Sequence, residues 1–345
     1  MTLNYQFYKL IFKTPGGTSR GTLTEKETYL IRLQINDPDE TEYFGEAALF
    51  RGLSFDDIPS YEVKLKNICE NFDFEDKDWW EKLREFPSIQ FGMEQILKAR
   101  EVYNDKKAKD EFNPVLFPSA FTESKAGIPI NGLIWMGSPD FMKQQIREKI
   151  DQNFRCIKLK IGVNWNEEHG ILKNLRKEFS ESDMEIRVDA NGAFDFNLAK
   201  TVLKQLAELE IHSIEQPIKA GQIHEMAQLC AETPTPIALD EELIGVIQKE
   251  EKSKLLQIIQ PQYIILKPSL VGGWKGSEEW IEIAEYNNSG WWITSALESN
   301  IGLNAIAQWT YTLGNPLPQG LGTGSLFKNN FYSRLKVEKD QLYFV

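Results

Sequence analysis

Charged residues close a series of short apolar runs at almost even intervals, and this spacing constrains the fold more than any other feature of the chain. Lys158-Leu159-Lys160 ends CIKLK, Asp189 ends EIRVD, Glu215 ends IHSIE, Asp240 ends PIALD and Lys267 ends QYIILK. From Asp189 onward the steps are 26, 25 and 27 residues. One strand, one helix and their loops take about 25–30 residues. The spacing therefore predicts the same kind of side chain at the ends of successive βα units.

The surrounding pattern agrees. From Ile128 the chain alternates strand-like and helix-like runs: INGLIWM then SPDFMKQQIREKIDQN, CIKLKIG then NEEHGILKNLRKEF, EIRVDANG then NLAKTVLKQLAEL. The alternation continues through IHSIEQP, PIALDEE, QYIILKPS, WWITSAL and QGLG. Strands alternating with helices imply a parallel sheet, and about eight repeats in roughly 200 residues favour a closed (β/α)8-type barrel. A doubly wound open sheet is the alternative, but no Gly-rich phosphate fingerprint follows the first of these strands. Ahead of the barrel, YQFYKLIFK and ETYLIRLQI alternate as strands around TPGGTSRGTLT, and YFGEAAL follows a DPDE turn. Residues 57 to about 112 read as charged helix, and 113–127 as a linker. The expected fold is α/β: an α+β capping domain over 1–115, a (β/α)8-type barrel over 116–325, and a C-terminal segment over 326–345. The strand pair RLKVEKDQLYFV in that last segment is expected to return to the capping domain.

Composition narrows the function classes. The chain has 345 residues, 41% of them hydrophobic, which suits a large globular core. No apolar run reaches the ~18 residues of a membrane span. The first residues, MTLNYQFYKLIFK, alternate like a strand and lack a small-residue cleavage site. Cys69, Cys156 and Cys230 are widely spaced and form neither a disulfide framework nor a zinc pattern, so a cytoplasmic setting is expected. A net charge of −12 argues against nucleic acid as a partner. The expected partner is a small molecule, with neither nucleic acid nor membrane involved.

Side chains alternate across a strand, so Lys158 and Lys160 share one face and Ile157, Leu159 and Ile161 the other. The outer face of a barrel packs on helices, so the lysines must point inward, near the strand end where barrel active sites lie. Crowding among cations and loss of water would lower a lysine pKa towards that of a usable base. Lys64-Leu65-Lys66 repeats the tripeptide within SYEVKLKNICENF, a polar and helix-like stretch, and reads as a solvated face.

Asp189, Glu215 and Asp240 together form a hard-oxygen ligand set suited to Mg²⁺. The histidines, His169, His212 and His224, lie off these strand ends, which argues against zinc. Asn191 has the parity of Asp189 and either hydrogen-bonds the metal shell or substrate or is the turn residue of Ala190-Asn191-Gly192. Glu241 either supports the ligand set or caps a helix. Lys267 shares the inward parity of Ile265, opposite Lys158 and Lys160. A lysine on each side of a metal-bound carboxylate is the arrangement for removing a proton beside that carboxylate.

This ladder of KxK, Asp, Glu, Asp and Lys resembles the enolase superfamily, and within it the muconate lactonizing subgroup. Ser295-Ala296-Leu297-Glu298-Ser299-Asn300-Ile301-Gly302 is similar to the seventh-strand segment of o-succinylbenzoate synthases. Gln319-Gly320-Leu321-Gly322-Thr323-Gly324 is similar to their eighth-strand segment, and Thr18-Ser19-Arg20-Gly21-Thr22-Leu23 to their capping loop. Dipeptide epimerases of the subgroup place an Asp-x-Asp on the eighth strand, where this chain has Gly320-Leu321-Gly322. The acid-sugar dehydratases use a late histidine base, and all three histidines here precede Asp240.

The resemblance implies a syn dehydration of a hydroxycyclohexadiene carboxylate to o-succinylbenzoate in menaquinone synthesis. It assigns Mg²⁺, with Mn²⁺ able to substitute, to Asp189, Glu215 and Asp240. Lys160 would be base and then acid, Lys267 the stabilising cation on the opposite face, and Lys158 the residue that tunes Lys160. Asn191 would help bind substrate, and backbone groups of Ser295 and Gly320 would meet the succinyl tail. Arg20, on a loop with Gly16, Gly17 and Gly21 that suits closure, would reach a substrate carboxylate. The rival expectations are an N-acylamino-acid racemase or dipeptide epimerase, a muconate cycloisomerase, and a non-catalytic barrel that keeps the ladder as a charge network.

Overall fold

The computed structural model describes residues 1–38, 41–103 and 112–345. Asp39 and Glu40 of the expected DPDE turn, and the end of the expected helical region at 104–111, lie outside the described residues.

Strands β1 (Thr2–Thr18), β2 (Gly21–Gln34) and β3 (Glu42–Ala47) make an antiparallel sheet in the order β1-β2-β3. Helices α1 (Tyr61–Asn71) and α2 (Pro87–Tyr103) pack on it. The β1–β2 register shifts between Ile11 and Gly16. A bulge bends its strand, and beyond this one the hairpin tip reaches the barrel.

The barrel strands are β5 (Gly132–Ile134), β6 (Cys156–Lys160), β7 (Glu185–Asp189), β8 (Ser213–Glu215), β9 (Ile237–Leu239), β10 (Tyr263–Leu266) and β11 (Gly290–Ile293). They pair in parallel in chain order. Gln319 and Gly320 close the ring through bridges to Ile130 and Thr294. The expected eighth strand is cut to these two residues because Pro316 and Pro318 precede them; proline has no N–H to give a ladder. Ile157, Leu159, Ile186, Val188 and Ile214, on the outward faces, are 0–1% exposed under the helices.

Helix α5 (Phe196–Ala207) shows how local sequence builds the outer layer. Ala199, Val202, Leu203 and Leu206 fall on one helical stripe and are all buried. Asp195 caps the helix by accepting from the Leu198 N–H at 2.9 Å, which contributes about 1 kcal/mol. Replacing Asp195 with alanine removes that cap and leaves the apolar stripe intact.

The C-terminal segment divides differently from expectation. Residues 326–329 return to the capping domain: the Lys13 N–H donates to the Leu326 carbonyl and the Lys328 N–H to the Ile11 carbonyl, both at 2.8 Å. The terminal strand pair, β12 (Leu335–Glu338) and β13 (Gln341–Phe344), instead joins β4 (Ile128–Pro129) at the start of the barrel. Leu342 and Phe344 become buried there, with Phe344 against Phe121. Among the described residues, no helix is long and apolar enough to cross a membrane.

Candidate active site and metal centre

Register alone aligns the charged strand ends. Lys160 on β6 is the lateral partner of Asp189 on β7, and Asp189 is the partner of Glu215 on β8. Glu215 pairs with Ala238, two residues before Asp240. Lys267 follows the last residue of β10. Period-two alternation turns these side chains inward, and Asp189, Glu215 and Asp240 are 0–2% exposed.

Lysines satisfy the buried carboxylates. Lys158 Nζ lies 2.6 Å from Glu215 Oε2 and 3.2 Å from Asp189 Oδ2. Lys160 Nζ lies 2.6 Å from Asp189 Oδ2 and 2.9 Å from Asn191 Oδ1. Lys267 Nζ pairs with Asp240 and stands 3.4 Å from Glu215 Oε1. Lys158, Lys160, Asp189, Glu215, Asp240 and Lys267 therefore form one connected group.

The charge balance differs from expectation at two lysines. Burial alone would lower Lys158, but Glu215 and Asp189 outweigh it and raise its pKa. Lys267 is likewise raised, because Asp240 and Glu215 outweigh its burial. Neither becomes a weaker acid-holder of the kind cation crowding would make. Asp189 is held well below the usual carboxylate range: burial opposes this, but Lys160, Lys158 and Lys267 together prevail. Glu215 is pushed up to about 7 by burial and by the Asp189 charge, and Asp240 is raised chiefly by burial.

Asn191 takes the turn position and bonds Lys160. Its φ of 46° makes it the left-handed turn residue, while its carboxamide joins Lys160 to Glu241 Oε1, the latter at 3.0 Å. Glu241 also receives Arg20 from the capping hairpin. A continuous chain thus runs Arg20–Glu241–Asn191–Lys160, from the lid to the expected base. Arg20 lines the cavity, but its guanidinium is engaged by Glu241. The hairpin docks further through Ser19 Oγ, 3.0 Å from the Ala190 carbonyl, and through the Met136 N–H on the Gly17 carbonyl at 3.1 Å. A Cβ at Gly17 would lie 2.2 Å from the Met136 carbonyl oxygen, so only glycine allows this approach.

Above the charged row the cavity wall is largely apolar. Leu23, Phe50 and Leu53 come from the capping domain, and Leu133, Trp135, Leu270, Ala296 and Leu297 from the barrel. Ser295 and Gly320 line it as expected, but their donors are engaged elsewhere. The Ser295 N–H donates to the Gly320 carbonyl at 3.0 Å and the Gly320 N–H to the Ile293 carbonyl at 2.8 Å. Ser295 Oγ donates to Glu298 at 2.6 Å. The expected backbone contacts to a substrate tail are therefore not what these N–H groups make. Asn131 and Thr294 also line the cavity and escaped the sequence reading. The alternation of WWIT gives Thr294 the inward parity of Trp292, a signal that was present; nothing local marks Phe50 or Leu53.

The donor set suits a hard divalent cation. Three carboxylates stand on neighbouring strand ends, two are raised by burial and crowding, and Glu241 Oε2 is buried without a partner among the described residues. Among the described residues no three such side chains form a ready-made cage, as lysines hold the carboxylate oxygens.

A closed βα ring with Lys, Asp, Glu, Asp and Lys on consecutive strand ends defines a class, and the sequence profile for "Enolase C-terminal domain-like" proteins matches residues 141–341. The chain belongs to the enolase superfamily, whose enzymes depend on a divalent metal. It is 42% identical over 370 residues to the o-succinylbenzoate synthase of Desulfotalea psychrophila, covering 98% of this chain and 97% of that one. The crystal structure of MenC from Desulfotalea psychrophila LSv54 superposes with a TM-score of 0.85 at 39% identity, covering 99% of both chains. The N-succinylamino acid racemase of Thermus thermophilus is 34% identical over 158 residues, 46% of this chain and 40% of that one. The dipeptide epimerase of Enterococcus faecalis V583, complexed with Mg and a dipeptide, shares the fold at a TM-score of 0.83 and 16% identity, covering 100% of this chain and 96% of that one.

Proposed function

We propose that this chain carries out the o-succinylbenzoate synthase reaction, the syn dehydration of 2-succinyl-6-hydroxy-2,4-cyclohexadiene-1-carboxylate to o-succinylbenzoate, a step towards menaquinone. The observation that carries this reading is the 42% identity to an o-succinylbenzoate synthase along 98% of the chain.

In this reading Lys160, in its neutral form, takes the ring proton next to the carboxylate. The electron pair forms the new ring double bond, the C–O bond breaks, and the Lys160 ammonium returns the proton to the leaving hydroxide as water. One group acting as base and then acid requires proton and hydroxyl on the same face. Asn191 and Asp189 orient Lys160 through bonds of 2.9 and 2.6 Å. Lys267, at the far end of the carboxylate row, opposes the negative charge that builds on the ring carboxylate. Lys158 holds Glu215 and Asp189 in place. Asp189, Glu215 and Asp240 would hold a divalent ion, Mg²⁺ in our reading with Mn²⁺ able to substitute, which would supply Lewis-acid stabilisation of that same charge. The apolar wall and the docked hairpin exclude water. Gly320 and Gly322 line the cavity where an amine-binding Asp-x-Asp would stand, which weighs against a dipeptide substrate. The free thiols of Cys69, Cys156 and Cys230 suit a cytoplasmic setting.

A second reading, racemisation of N-succinylamino acids, draws on the 34% identity to the Thermus thermophilus racemase and on lysines at both ends of the row. An ultraviolet assay separates the two. Loss of the diene absorbance that chelator stops and Mg²⁺ restores is the expected result. No turnover in protein that still binds Mg²⁺ would refute dehydration, and solvent-proton exchange into N-succinylamino acids would then establish racemisation.

A further inference from the structure

We propose that the Thr294 hydroxyl is the donor that recognises the acyl carbonyl oxygen of the substrate's tail, which makes Thr294 a specificity-determining residue of the site. The inference rests on the reaction proposed above and adds to it a contact that neither the sequence motifs nor the relatives' names assign.

The position follows from strand alternation. Trp292 points into the barrel, where it packs with Ala238 and Ile265. Thr294, two residues on, faces the same way at the mouth. Register supplies the distance to the chemistry: Leu266 pairs with Ile293, so the next residues, Lys267 and Thr294, stand side by side on neighbouring strands. Neighbouring strands are about 4.8 Å apart. A group held beside Lys267 meets the first atoms of a ring substituent rather than the far end of a tail.

Thr294 is 8% exposed and lines the cavity, yet its Oγ1 is buried with no hydrogen-bond partner among the described residues. The donors beside it on Ser295, Gly320 and Thr323 are engaged. Ser295 Oγ donates to Glu298, Thr323 Oγ1 lies 3.0 Å from Ser295 Oγ, and the N–H groups of Ser295 and Gly320 are in the ring closure. Gly320 keeps the space: a Cβ there would fall 2.5 Å from Thr294 Oγ1 and 2.7 Å from its Cγ2. A buried hydroxyl without a partner destabilises a fold, and valine of the same shape would remove that cost. Rotation about the Thr294 Cα–Cβ bond turns the hydroxyl from this covered position to the cavity, where a ligand oxygen satisfies it and accounts for its presence.

The test compares two ligands by calorimetry on the Mg²⁺-loaded protein: o-succinylbenzoate, and 2-(3-carboxypropyl)benzoate, which has a methylene in place of the ketone. Thr294→Val is expected to weaken o-succinylbenzoate binding by roughly tenfold and to leave the methylene analogue unchanged. Thr294→Ser is expected to retain the preference for the ketone. The ligand-free valine variant should melt at or above the wild-type temperature, the reverse of what a structural hydroxyl would give. Equal losses for both ligands, no loss for either, or a lower melting temperature for the valine variant would overturn the assignment while leaving the reaction standing. Wild-type protein that binds Mg²⁺ but neither ligand would overturn the proposed reaction and the tail contact with it.

Discussion

The tripeptide Lys-Leu-Lys occurs twice, at 64–66 and at 158–160, with opposite fates. In α1 successive residues turn by about 100°. Leu65 is therefore buried, while Lys66 projects into solvent beside Glu70 at 3.7 Å. Lys64 turns away to the Lys82 carbonyl at 3.2 Å and the Phe86 ring at 5.2 Å. In β6 the period is two, so Leu159 faces the helices and both lysines face Asp189 and Glu215. Residue identity is the same in both places. The backbone period decides whether two ammonium groups converge on one site or diverge around a helix, and the apolar neighbours Ile157 and Ile161 set that period.

The largest test of this contrast is Lys160→Ala. It should lower dehydration by roughly 10²–10⁴-fold, the range for loss of a general acid–base group, with the circular dichroism spectrum unchanged. Retained activity would mean that the inward lysine is structural. Next in size, Asp240→Asn should weaken Mg²⁺ binding in titration calorimetry by at least roughly tenfold. It also leaves Lys267 with a poorer partner, so activity should fall even at saturating metal. Unaltered Mg²⁺ affinity would remove Asp240 from the ligand set.

A smaller effect is expected at the seam between capping domain and barrel, where the buried charges differ in kind. Glu46 accepts from Thr28 Oγ1 at 2.8 Å, Ser299 N–H at 2.9 Å, Ser299 Oγ at 2.5 Å and Gly302 N–H at 3.0 Å. A capping-domain carboxylate thus closes the N-terminus of α10 (Asn300–Thr312), whereas the carboxylates of the mouth are held by lysine side chains able to move. Glu46→Gln should cost about 1–3 kcal/mol in urea denaturation. Its effect on turnover should be slight compared with Lys160→Ala.

Glu94 makes a similar plug in α9 (Gly273–Tyr286), receiving the N–H groups of Trp274 and Lys275. Burial pushes its carboxyl from 4.5 up to about 8. The folded chain then holds a proton that the unfolded chain has released, so stability falls as pH rises from about 4.5 to about 8. Asp56, pushed up to about 6 by burial, adds to the lower end of that slope. Glu94→Gln should flatten the decline between pH 5 and 8, and an unchanged slope would mean that Glu94 does not carry the proton.

What was legible in the sequence was what repeats locally. Parity and spacing brought Lys158, Lys160, Asp189, Glu215, Asp240 and Lys267 to one mouth, because each depends only on its own strand and on the βα period. Contacts set by distant segments left no such trace. Glu46 meets Ser299 across 253 residues and Arg20 meets Glu241 across 221, so no window of sequence contains both partners. The reach of the capping hairpin was legible in its glycines, but the engagement of Arg20 by Glu241 was not. The strand pattern extends to QGLG, but Pro316 and Pro318 beside it cannot donate to a ladder and shorten that strand to two residues. The terminal hairpin was recognised as strands, but which edge it would join depended on β4, a segment of two residues.

The smallest predicted effect returns to the first tripeptide. Lys66→Ala removes a long, exposed side chain whose ion pair with Glu70 is at the surface one helical turn away. Such pairs contribute about 0.3–0.5 kcal/mol, and alanine's higher helix propensity offsets part of that. Lys64→Ala loses a little more, because its ammonium lies over the Phe86 ring. Both variants should keep wild-type turnover and Mg²⁺ affinity, with denaturation midpoints shifted by no more than about 1 kcal/mol. A loss of turnover near that of Lys160→Ala, from either change, would break the argument that backbone period separates the two tripeptides. It would instead place α1 in the path by which the capping domain closes on the barrel.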